Sequence, residues 1–464
     1  MIHYNFGIVG LGVMGRNLLL NMADHGYAVA GLDLDAEKVA SLQSEARHHH
    51  KILATTQVEE FVRSLEKPTA IMLLVPAGNP VDSAIKSLLP FLNKGDILID
   101  GGNTYFTDTE RRYKELSDVG IHFFGMGISG GENGARRGPS MMPGGDKVAY
   151  ERLRPVFEAI AAKVGTEPCV EFLGNGSAGN YVKMVHNGIE YGIMQLIAET
   201  CDMMKKVYHL DTETIQKTFE QWNKEELNSF LIEITAQILR KKEGDIHLVD
   251  LISDWAKSKG TGKWTSQNAM DLQVPIPVID AAVSMRDISK FKPERIEASQ
   301  LLHWNNDQEH SEPDVDQLKN GLYFAMIVTY AQGLAQLKVA SDTYHYDLQL
   351  ETVCKIWRGG CIIRAELLEN FRKAFSVNPG LSNIMLDQEI AHKLNASQSS
   401  IRTIIKEAIQ NGVPAAAWMN ALAYFDAYRA KELPTNIIQA QRDFFGAHTY
   451  ERIDKEGIFH TKWD

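Results

Sequence analysis

Short apolar runs alternate with amphipathic segments from residue 5 to about residue 175. The runs have the length and composition of buried strands and occupy Phe6–Gly10, Ala28–Asp33, Ala70–Val75, Asp96–Asp100 and His122–Ile128. A turn or a segment with helical spacing of its apolar residues follows each of them. Strands and helices that alternate in this way predict a parallel, doubly wound α/β sheet.

The pattern changes after Gly174-Asn175-Gly176, where the strand-like runs stop. Long segments with helical periodicity follow, at Tyr181–Leu210, Thr212–Lys242, Asp316–Lys338 and Ser399–Arg429. We therefore expect an α/β domain over residues 1–176 and a large all-helical domain over residues 177–433. Pro434 then breaks the last helix and begins a tail over residues 434–464. This aromatic-rich tail is too short to fold alone, so we expect it to lie on another surface.

The charge balance argues against a nucleic-acid binder. The 464 residues include 59 acidic and 48 basic side chains, a formal net charge of −11, whereas binding to phosphates calls for a basic surface. The chain starts without a basic stretch that leads into an apolar core, so we expect no secretory signal and a cytoplasmic protein. The uncharged run between Lys319 and Lys338 contains polar residues, which favours a buried helix over a membrane span.

Neither cysteines nor histidines form a pattern typical of metal sites. No CxxC pair occurs among the four cysteines, which predicts reduced thiols rather than a disulfide scaffold or a zinc site. The run His48–His50 is expected to be a solvated loop, because adjacent side chains do not converge on one ion. We therefore predict no metal.

A glycine-rich segment directly follows the first predicted strand and opens an apolar helix. It reads Gly10-Leu11-Gly12-Val13-Met14-Gly15, which is the dinucleotide fingerprint of Rossmann domains in its required context. Gly10 permits the tight turn, Gly12 lets the backbone approach a diphosphate, and Gly15 allows close packing of helix and strand. The diphosphate is expected on the free amides of the helix N-terminus.

Asp33 ends the second predicted strand, 21 residues after Gly12 (33 − 12). A carboxylate there accepts hydrogen bonds from a ribose 2′-hydroxyl and repels a 2′-phosphate, which favours NAD over NADP. Leu34 and Asp35 reinforce this preference, because neither offers a guanidinium to a phosphate. The alternative is that Asp33 only caps the next helix.

Four polar residues share one face of a predicted helix with apolar flanks. Lys183, His186, Asn187 and Glu190 stand at positions i, i+3, i+4 and i+7. Polar groups on a largely buried helix must bind a polar ligand or form hydrogen bonds with one another. The alternative, a solvent-exposed stripe with an internal ion pair, would have the same spacing. A lysine and a glutamate two turns apart can act as base and acid in successive steps.

Two further segments could bind anions. The segment 128–134, Ile-Ser-Gly-Gly-Glu-Asn-Gly, is expected to be a loop after a strand whose amides could hold a carboxylate. The segment 258–264, Ser-Lys-Gly-Thr-Gly-Lys-Trp, combines cations, a hydroxyl and open backbone. It lacks the glycine spacing and the preceding strand of a P-loop, so a substrate phosphate fits it better than nucleotide hydrolysis does.

These segments resemble those of the decarboxylating 6-phosphogluconate dehydrogenases. The similarity is carried by Ser129–Gly131, Lys183–Gly192, Lys259–Trp264 and Gln441–His448, and it extends from about Gly7 to Tyr450. The resemblance implies an oxidative decarboxylation of 6-phosphogluconate to ribulose 5-phosphate and CO2 without a metal ion. By the same resemblance Lys183 is the base, which then polarises the 3-oxo group, and Glu190 is the acid that protonates carbon 1 of the resulting enediol.

The resemblance also implies the binding residues. Asn187 and His186 would hold hydroxyls, and the carboxylate side would be formed by Asn103, Ser129, Gly130 and Gly131. The phosphate would be bound by Tyr191, Lys259, Thr261 and Arg286. In the family, the residues matching Arg442 and His448 reach the partner subunit's site, which implies a homodimer. Contacts to the dinucleotide would come from Gly10, Leu11, Gly12, Val13, Met14, Gly15, Asp33, Leu34, Val75, Pro76, Ala77 and Asn103.

The departures from the family pattern concern the cofactor first. Members that use NADP carry Asn-Arg-Ser or Asn-Arg-Thr where this chain has Asp33-Leu34-Asp35, and commonly a lysine in place of Pro76. We therefore predict NAD, with NADP possible if Arg47 and His48–His50 supply charge from a nearby loop. Asn180 replaces a usual histidine and Ile193 a usual acidic residue, and we attach no loss of function to either.

Three alternatives remain at this point. Another β-hydroxyacid dehydrogenase, such as one for 3-hydroxyisobutyrate, shares the fingerprint and the lysine but has no phosphate to bind. A nucleotide-sugar dehydrogenase would need a cysteine nucleophile in a glycine-rich context, which none of the cysteines has. A silent dinucleotide-sensing protein would not need both Lys183 and Glu190.

Overall fold

The computed structural model describes residues 3–303 and 314–463, and their N-terminal part is built on a seven-stranded sheet. The strands lie in the order β3-β2-β1-β4-β5-β6-β7. The first six are parallel and β7 is antiparallel to β6. Their bounds are β1 Phe6–Val9, β2 Val29–Leu32, β3 Ile52–Thr55, β4 Ala70–Leu73, β5 Ile97–Asp100, β6 His122–Ser129 and β7 Ser140–Gly145.

Helices cover both faces of this sheet. Ile8 and Met72 belong to one apolar cluster, whereas their neighbours Val9 and Ile71 belong to a second one. Because successive side chains of a strand point to opposite faces, the two clusters lie on opposite sides of the sheet, and the doubly wound prediction is confirmed. The helices are α1 Val13–Asp24, α2 Ala36–Glu45, α3 Val58–Ser64, α4 Asn79–Leu88, α5 Phe106–Asp118, α6 Gly131–Arg137 and α7 Lys147–Ile160.

Two strands of the sheet were missing from the prediction. The strand β3 is four residues long, and three of these are only half-buried. The strand β7 contains Pro143 and two glycines, which argue against a strand, but it lies at the edge of the sheet, where a proline is tolerated. Its antiparallel pairing also corrects the expectation of an all-parallel sheet.

The rest of the chain up to residue 429 is mainly helical. Its centre is formed by two long helices, α8 (Ala178–Lys206) and α15 (Val315–Tyr344), which pack against each other in a single apolar core. Three short hairpins accompany the helices or the tail, at β8 Lys163–Val164 with β9 Glu167–Pro168, β10 Lys242–Glu243 with β11 Ile246–His247, and β12 Tyr450–Glu451 with β13 Ile458–Phe459. The remaining helices are α9 Thr212–Trp222, α10 Phe230–Arg240, α11 Leu248–Leu251, α12 Thr261–Asp271, α13 Pro277–Ser289, α14 Lys292–Leu301, α16 Leu350–Trp357, α17 Leu367–Val377, α18 Gln388–Gln410, α19 Ala416–Arg429 and α20 Thr435–Gly446.

Two predicted helices are each divided in the structure. The segment 212–242 is broken before α10, where the Ser229 hydroxyl accepts a hydrogen bond from the Ile232 amide and caps the second helix. The segment 399–429 is broken at Gly412, which has a positive φ of 62°, and at Pro414. The first break has no glycine or proline, so periodicity alone did not indicate it.

The tail folds around one buried carboxylate. Asp443 in α20 is fully buried and accepts hydrogen bonds from the Thr449 and Thr461 amides, the His460 ring and the Trp463 indole. The neighbouring side chain of Phe444 is 66% exposed. The tail is therefore ordered by its own polar contacts and leaves apolar surface uncovered.

Several smaller expectations concern absent features. In residues 3–303 and 314–463, every helix is too short or too polar to cross a bilayer. The run between Lys319 and Lys338 belongs to the buried helix α15. The cysteines within the same two ranges are unpaired thiols.

Candidate functional site

The glycine fingerprint forms a tight turn between β1 and α1. Gly10 has a φ of 96°, and a Cβ atom at Gly15 would lie 1.8 Å from the Gly10 carbonyl oxygen. In contrast, a Cβ at Gly12 would meet no atom within 4 Å. Gly12 is also the N-cap of α1, whose first turn contains no acidic side chain. Open space beside the free amides of a helix N-terminus fits a diphosphate.

Asp33 stabilises this turn. Its Oδ2 accepts a hydrogen bond from the Leu11 amide at 2.7 Å, and its Oδ1 accepts one from the Asp35 amide at 3.0 Å. The cap of α2 is Asp35, whose Oδ1 accepts from the Glu37 amide at 2.9 Å, so the alternative role of Asp33 as that cap is wrong. Asp33 is therefore hydrogen-bonded to the glycine turn rather than to the start of α2.

The charges around Asp33 are largely paired. The Lys38 ammonium lies 3.6 Å from Asp33 Oδ1 and 3.7 Å from Asp35 Oδ2. The intervening Leu34 is 88% exposed and offers no hydrogen-bond donor from its side chain. Beyond β4, Pro76 and Ala77 are exposed at the same edge of the sheet, where the carboxyl ends of the parallel strands meet.

The basic loop before β3, which contains Arg47 and His48–His50, contacts the carboxylate of Asp24 and not that of Asp33. Arg47 and His50 contact Asp24 Oδ1 at 3.4 Å and 2.9 Å, and Arg136 pairs with the other oxygen of Asp24. The side-chain nitrogens of His49 and His50 and a carboxylate oxygen of Asp24 lie within 4.8 Å of one another. The expectation that adjacent histidines point apart is therefore wrong for this pair. The two arginines already neutralise this carboxylate.

The four polar residues of α8 lie on one face, as their spacing predicts. Lys183, His186 and Asn187 are buried and Glu190 is half-buried. The His186 Nε2 lies 3.2 Å from the Ser129 hydroxyl, and its Nδ1 lies 3.1 Å from Asn187 Oδ1 and 3.4 Å from the Lys183 ammonium.

One hydrogen-bond chain accounts for these contacts. The Ile362 amide donates to the Ser129 hydroxyl at 3.3 Å, which leaves that hydroxyl to donate to Nε2 of His186. Nδ1 then carries the proton and donates to Asn187 Oδ1. This assignment is inferred from the hydrogen-bond network. It leaves His186 without an acceptor for the Lys183 nitrogen, which is therefore available to a ligand.

Burial shifts the three titratable groups in directions that favour their neutral forms. It lowers the pKa of Lys183, and the Glu190 carboxylate opposes this only in part. It raises the pKa of Glu190, against the opposite effects of Lys183 and Arg286. Burial and the charge of Lys183 together lower the pKa of His186 well below its usual value. The shifts of Lys183 and Glu190 thus run in the directions that a base and an acid in this site would need.

A narrow cavity opens in front of Lys183, between the sheet edge and two helices. Its walls come from the segment after β5, from α8 and from the start of α12. The lining residues are Asn103, Thr104, Asn180, Lys183, Met184, Asn187, Thr261 and Trp264. Asn103 and Thr261, predicted as substrate contacts, are therefore brought beside Lys183.

The residues predicted to bind phosphate are brought together in part. The Arg286 guanidinium carbon lies 3.4 Å from the centre of the Tyr191 ring, a cation–π arrangement. A Cβ at Gly262 would lie 2.4 Å from the same ring, so α12 contacts α8 closely at that point. Thr261 is buried in the first turn of α12, whereas Lys259 is exposed just before it. The segment is thus a helix N-terminus rather than an open loop.

The segment 128–134 is not a loop either. Ser129 ends β6, Gly130 has a φ of 116°, and the short helix α6 begins at Gly131. A Cβ at Gly130 would lie 2.5 Å from the Gly360 carbonyl oxygen, which requires glycine there. Ser129 is buried with both of its hydrogen bonds made inside the protein, so its hydroxyl orients His186.

Two predicted site residues lie apart from this cluster within one chain. Arg442 donates to Gln439 in the same helix α20, and the His448 ring contacts the Phe445 ring. None of these contacts involves Lys183 or its neighbours.

Sequence reasoning missed two features of the site. The Trp264 ring lies 5.2 Å from the Tyr105 ring and closes one side of the cavity. The Arg112 side chain, buried in α5, contacts the Gly78 carbonyl after β4 and the Asp100 carboxylate at the end of β5. The only signal for Arg112 was a basic residue on the apolar side of a predicted helix.

Comparison with known proteins identifies the family. Residues 5–174 match a family model described as the NAD binding domain of 6-phosphogluconate dehydrogenase, and residues 179–463 match one described as the C-terminal domain of 6-phosphogluconate dehydrogenase. The chain belongs to the 6-phosphogluconate dehydrogenase family. It is therefore an oxidoreductase, and the resemblance of its motifs is confirmed over the full length.

The relatives are similar along their whole length. A 6-phosphogluconate dehydrogenase, decarboxylating, from Lactococcus lactis subsp. lactis (strain IL1403) is 50% identical, covering 100% of this chain and 99% of the relative. A 6-phosphogluconate dehydrogenase from Bacillus subtilis (strain 168), named NADP(+)-dependent and decarboxylating, is 49% identical with complete coverage of both chains.

A solved structure shares the architecture. The Plasmodium falciparum 6-phosphogluconate dehydrogenase, described in its apo form and in complex with NADP+ and with 6-phosphogluconate, superposes with a TM-score of 0.96. It is 42% identical, and the alignment covers 99% of this chain and 100% of the other. The fold class predicted from the sequence, a doubly wound sheet followed by a large helical domain, is that of the family.

Proposed function

We propose that this protein oxidatively decarboxylates 6-phosphogluconate to ribulose 5-phosphate and CO2, with Lys183 as base and Glu190 as acid. The observation that carries the proposal is the position of both groups on one face of α8, where Lys183 is buried at the cavity beside the edge of the sheet and Glu190 is half-buried two turns further on. The relatives named above support the substrate. The division into residues 1–176, 177–433 and 434–464 is part of this proposal.

The chain's residues account for the proton movements. Lys183, as the free amine, accepts the proton of the hydroxyl on carbon 3. When bound, the nicotinamide supplies the acceptor for the hydrogen and the electron pair that leave this carbon. The Lys183 ammonium then stabilises the negative charge that develops on the 3-oxo oxygen as CO2 departs, and it transfers its proton to this oxygen, which gives the enediol and the free amine. Glu190 donates a proton to carbon 1 of the enediol, while Lys183 takes back the proton of the enol oxygen.

Both pKa shifts favour this sequence of steps. The lowered pKa of Lys183 increases the fraction of free amine, and the raised pKa of Glu190 increases the fraction of protonated carboxyl group. The Lys183 ammonium supplies the positive charge that a metal ion supplies in other decarboxylases. We therefore propose a metal-independent reaction, and treatment with a chelator such as EDTA should leave kcat unchanged.

The experiment that tests these roles compares turnover with binding. The variant Lys183→Met should lose turnover of 6-phosphogluconate, yet retain the Kd for the dinucleotide, because Lys183 stands outside the fingerprint. Glu190→Gln, which keeps the shape of the side chain, is the matched variant for the acid role and should also lose turnover. Substantial kcat in Lys183→Met would remove this residue from the base role.

We propose that the substrate phosphate is bound by Tyr191, Lys259, Thr261 and Arg286. Their support is the stacked Tyr191–Arg286 pair and the N-terminus of α12, where helix amides can hold an anion. We further propose that Asn103 and the segment Ser129–Gly131 face the carboxylate side, with Ser129 acting through His186. With these assignments, positively charged side chains gather around the anionic substrate, although the protein as a whole is acidic.

We propose NAD as the preferred dinucleotide. The fingerprint glycines leave room for the diphosphate, and Asp33 directly follows β2, the position at which a carboxylate repels a 2′-phosphate in Rossmann domains; the nearby Lys38 is already engaged by Asp33. The Bacillus subtilis relative named NADP(+)-dependent supports the competing expectation, which is a preference for NADP. A higher kcat/KM with NADP than with NAD would overturn this part of the proposal.

We propose a homodimer in which the tail of one subunit completes the site of the other. The uncovered aromatic surface of α20 and the separation of Arg442 and His448 from Lys183 support this arrangement. Mixing Lys183→Met with Arg442→Ala subunits tests it, because only heterodimers can then join an intact Lys183 to an intact Arg442. Random reassociation in a two-fold dimer should restore about a quarter of wild-type activity. No recovery after confirmed subunit exchange would contradict a tail acting in the partner's site.

A further inference from the structure

Two segments at the edge of the sheet carry proposed contacts to the dinucleotide. One follows β4 and ends at Gly78, the N-cap of α4, and the other follows β5 and includes Gly102 and Asn103. Asn103 is exposed at the cavity of Lys183. Because the two segments come from neighbouring strands, their relative position decides how a dinucleotide meets Lys183.

Arg112 in α5 connects these two segments. Its side chain is 1% exposed, and its Nη2 donates to the Gly78 carbonyl oxygen at 3.0 Å. Its Nε and Nη2 donate to the two carboxylate oxygens of Asp82 at 2.8 Å and 3.0 Å. Its Nη1 lies 3.3 Å from Asp100 Oδ2. All three guanidinium nitrogens are used, so the end of the segment after β4 and the last residue of β5 are tied to one rigid group.

Asp100 passes this restraint to the segment after β5. The carboxylate is fully buried, and its Oδ1 accepts a hydrogen bond from the Gly102 amide at 3.0 Å. The Gly102 carbonyl oxygen accepts from Asn180 Nδ2 in α8 at 3.2 Å. Gly102 is therefore held on one side by the sheet domain and on the other by the helix of Lys183, and it places Asn103 next in the chain.

We propose that Arg112 is a positioning residue, which fixes the segments after β4 and β5 against each other so that the dinucleotide and Asn103 are aligned with Lys183. This inference rests on the proposed function for its catalytic consequence, but not for its effect on dinucleotide binding. The contacts of Arg112 described above include none of the residues that we propose to bind the substrate phosphate.

The test compares Arg112→Lys with Arg111→Lys. Arg111 contacts the same carboxylate, Asp82 Oδ1 at 2.9 Å, but its side chain is 44% exposed and its other hydrogen bonds go to Glu115. Lysine at position 112 keeps the charge and loses the three-way contact. We expect Arg112→Lys to weaken NAD binding by about tenfold to a hundredfold, as loss of charge-assisted hydrogen bonds does. Arg111→Lys should keep the wild-type Kd.

The readouts separate positioning from general loss of structure. Kd values for NAD and for 6-phosphogluconate are measured separately, together with Tm. In folded Arg112→Lys the Kd for NAD should rise by a larger factor than the Kd for 6-phosphogluconate, because Asn103 alone among the proposed substrate contacts belongs to the segments that Arg112 fixes. Equal weakening of both, or an unchanged Kd for NAD, would overturn the proposal.

A second variant keeps the test decisive if Arg112→Lys does not fold. Asp82 is 38% exposed, and Asp82→Asn removes one anchor of Arg112 without leaving a buried charge unpaired in the core. It should weaken NAD binding in the same direction by a smaller factor, and an unchanged Kd would again overturn the inference. If the wild-type protein binds NAD but does not turn over 6-phosphogluconate, the proposed function fails while this comparison stands.

Discussion

Replacing Asp33 by asparagine should move the dinucleotide preference towards NADP. The Asp33 carboxylate is 11% exposed and accepts a hydrogen bond from the Leu11 amide, which the asparagine oxygen can also accept, so the turn should survive. A negative charge about 4 Å from a 2′-phosphate charge costs about 1 kcal/mol in water and about 4 kcal/mol at the effective dielectric near a protein surface. The ratio of kcat/KM for NAD to that for NADP should therefore fall by about fivefold to about a thousandfold.

The assay varies each dinucleotide at saturating 6-phosphogluconate for the wild type, Asp33→Asn and Asp35→Asn. Asp35 is the control because its carboxylate is 46% exposed, caps α2 and does not contact Leu11. A ratio that does not change in Asp33→Asn would refute the electrostatic argument. An equal change in Asp35→Asn would show that net charge near the ribose, rather than the position of Asp33, decides the preference.

Three further predictions concern pH, stability and the phosphate. The pH profile of kcat/KM should fall on the acid side as Lys183 gains a proton and on the alkaline side as Glu190 loses one; a flat profile would contradict these roles. Burial raises the pKa of Glu199 from the usual 4.5 to about 6. The folded state therefore disfavours the ionised form of Glu199. About 2 kcal/mol of the free energy of unfolding should be present below pH 4.5 and be lost as the pH rises through about 6. Chemical denaturation at several pH values should show this loss for the wild type but not for Glu199→Gln. Arg286→Lys loses the stacking on Tyr191 and should raise the KM for 6-phosphogluconate by about tenfold, with the KM for NAD as the control.

The parts of the site that sequence predicted are those set by local spacing. The helical face from Lys183 to Glu190 follows from a period of 3.6 residues, and the turn at Gly10 follows from glycines at fixed positions between a strand and a helix. Both patterns depend on neighbours within about two turns of the chain. The doubly wound fold followed for the same reason, since each strand and each helix is a local pattern.

The parts that sequence missed depend on distant residues. Arg112 contacts Gly78 and Asp82, which are 34 and 30 positions away, and periodicity carries no information about such pairs. The strand β7 was missed because its pairing with β6 outweighs its proline and glycines. The turn at Ser129 could not be recognised as internally hydrogen-bonded, because the Ile362 amide comes from 233 positions further along the chain.

The most direct test of the central claim measures two products in one reaction. Purified wild-type protein receives 6-phosphogluconate and NAD, and the reduced nicotinamide absorbance and the released CO2 are followed together, with Lys183→Met as the control. The proposed chemistry predicts one CO2 for each dinucleotide reduced, and neither product with the variant. Reduction of the dinucleotide without CO2, or an active Lys183→Met variant, would contradict it.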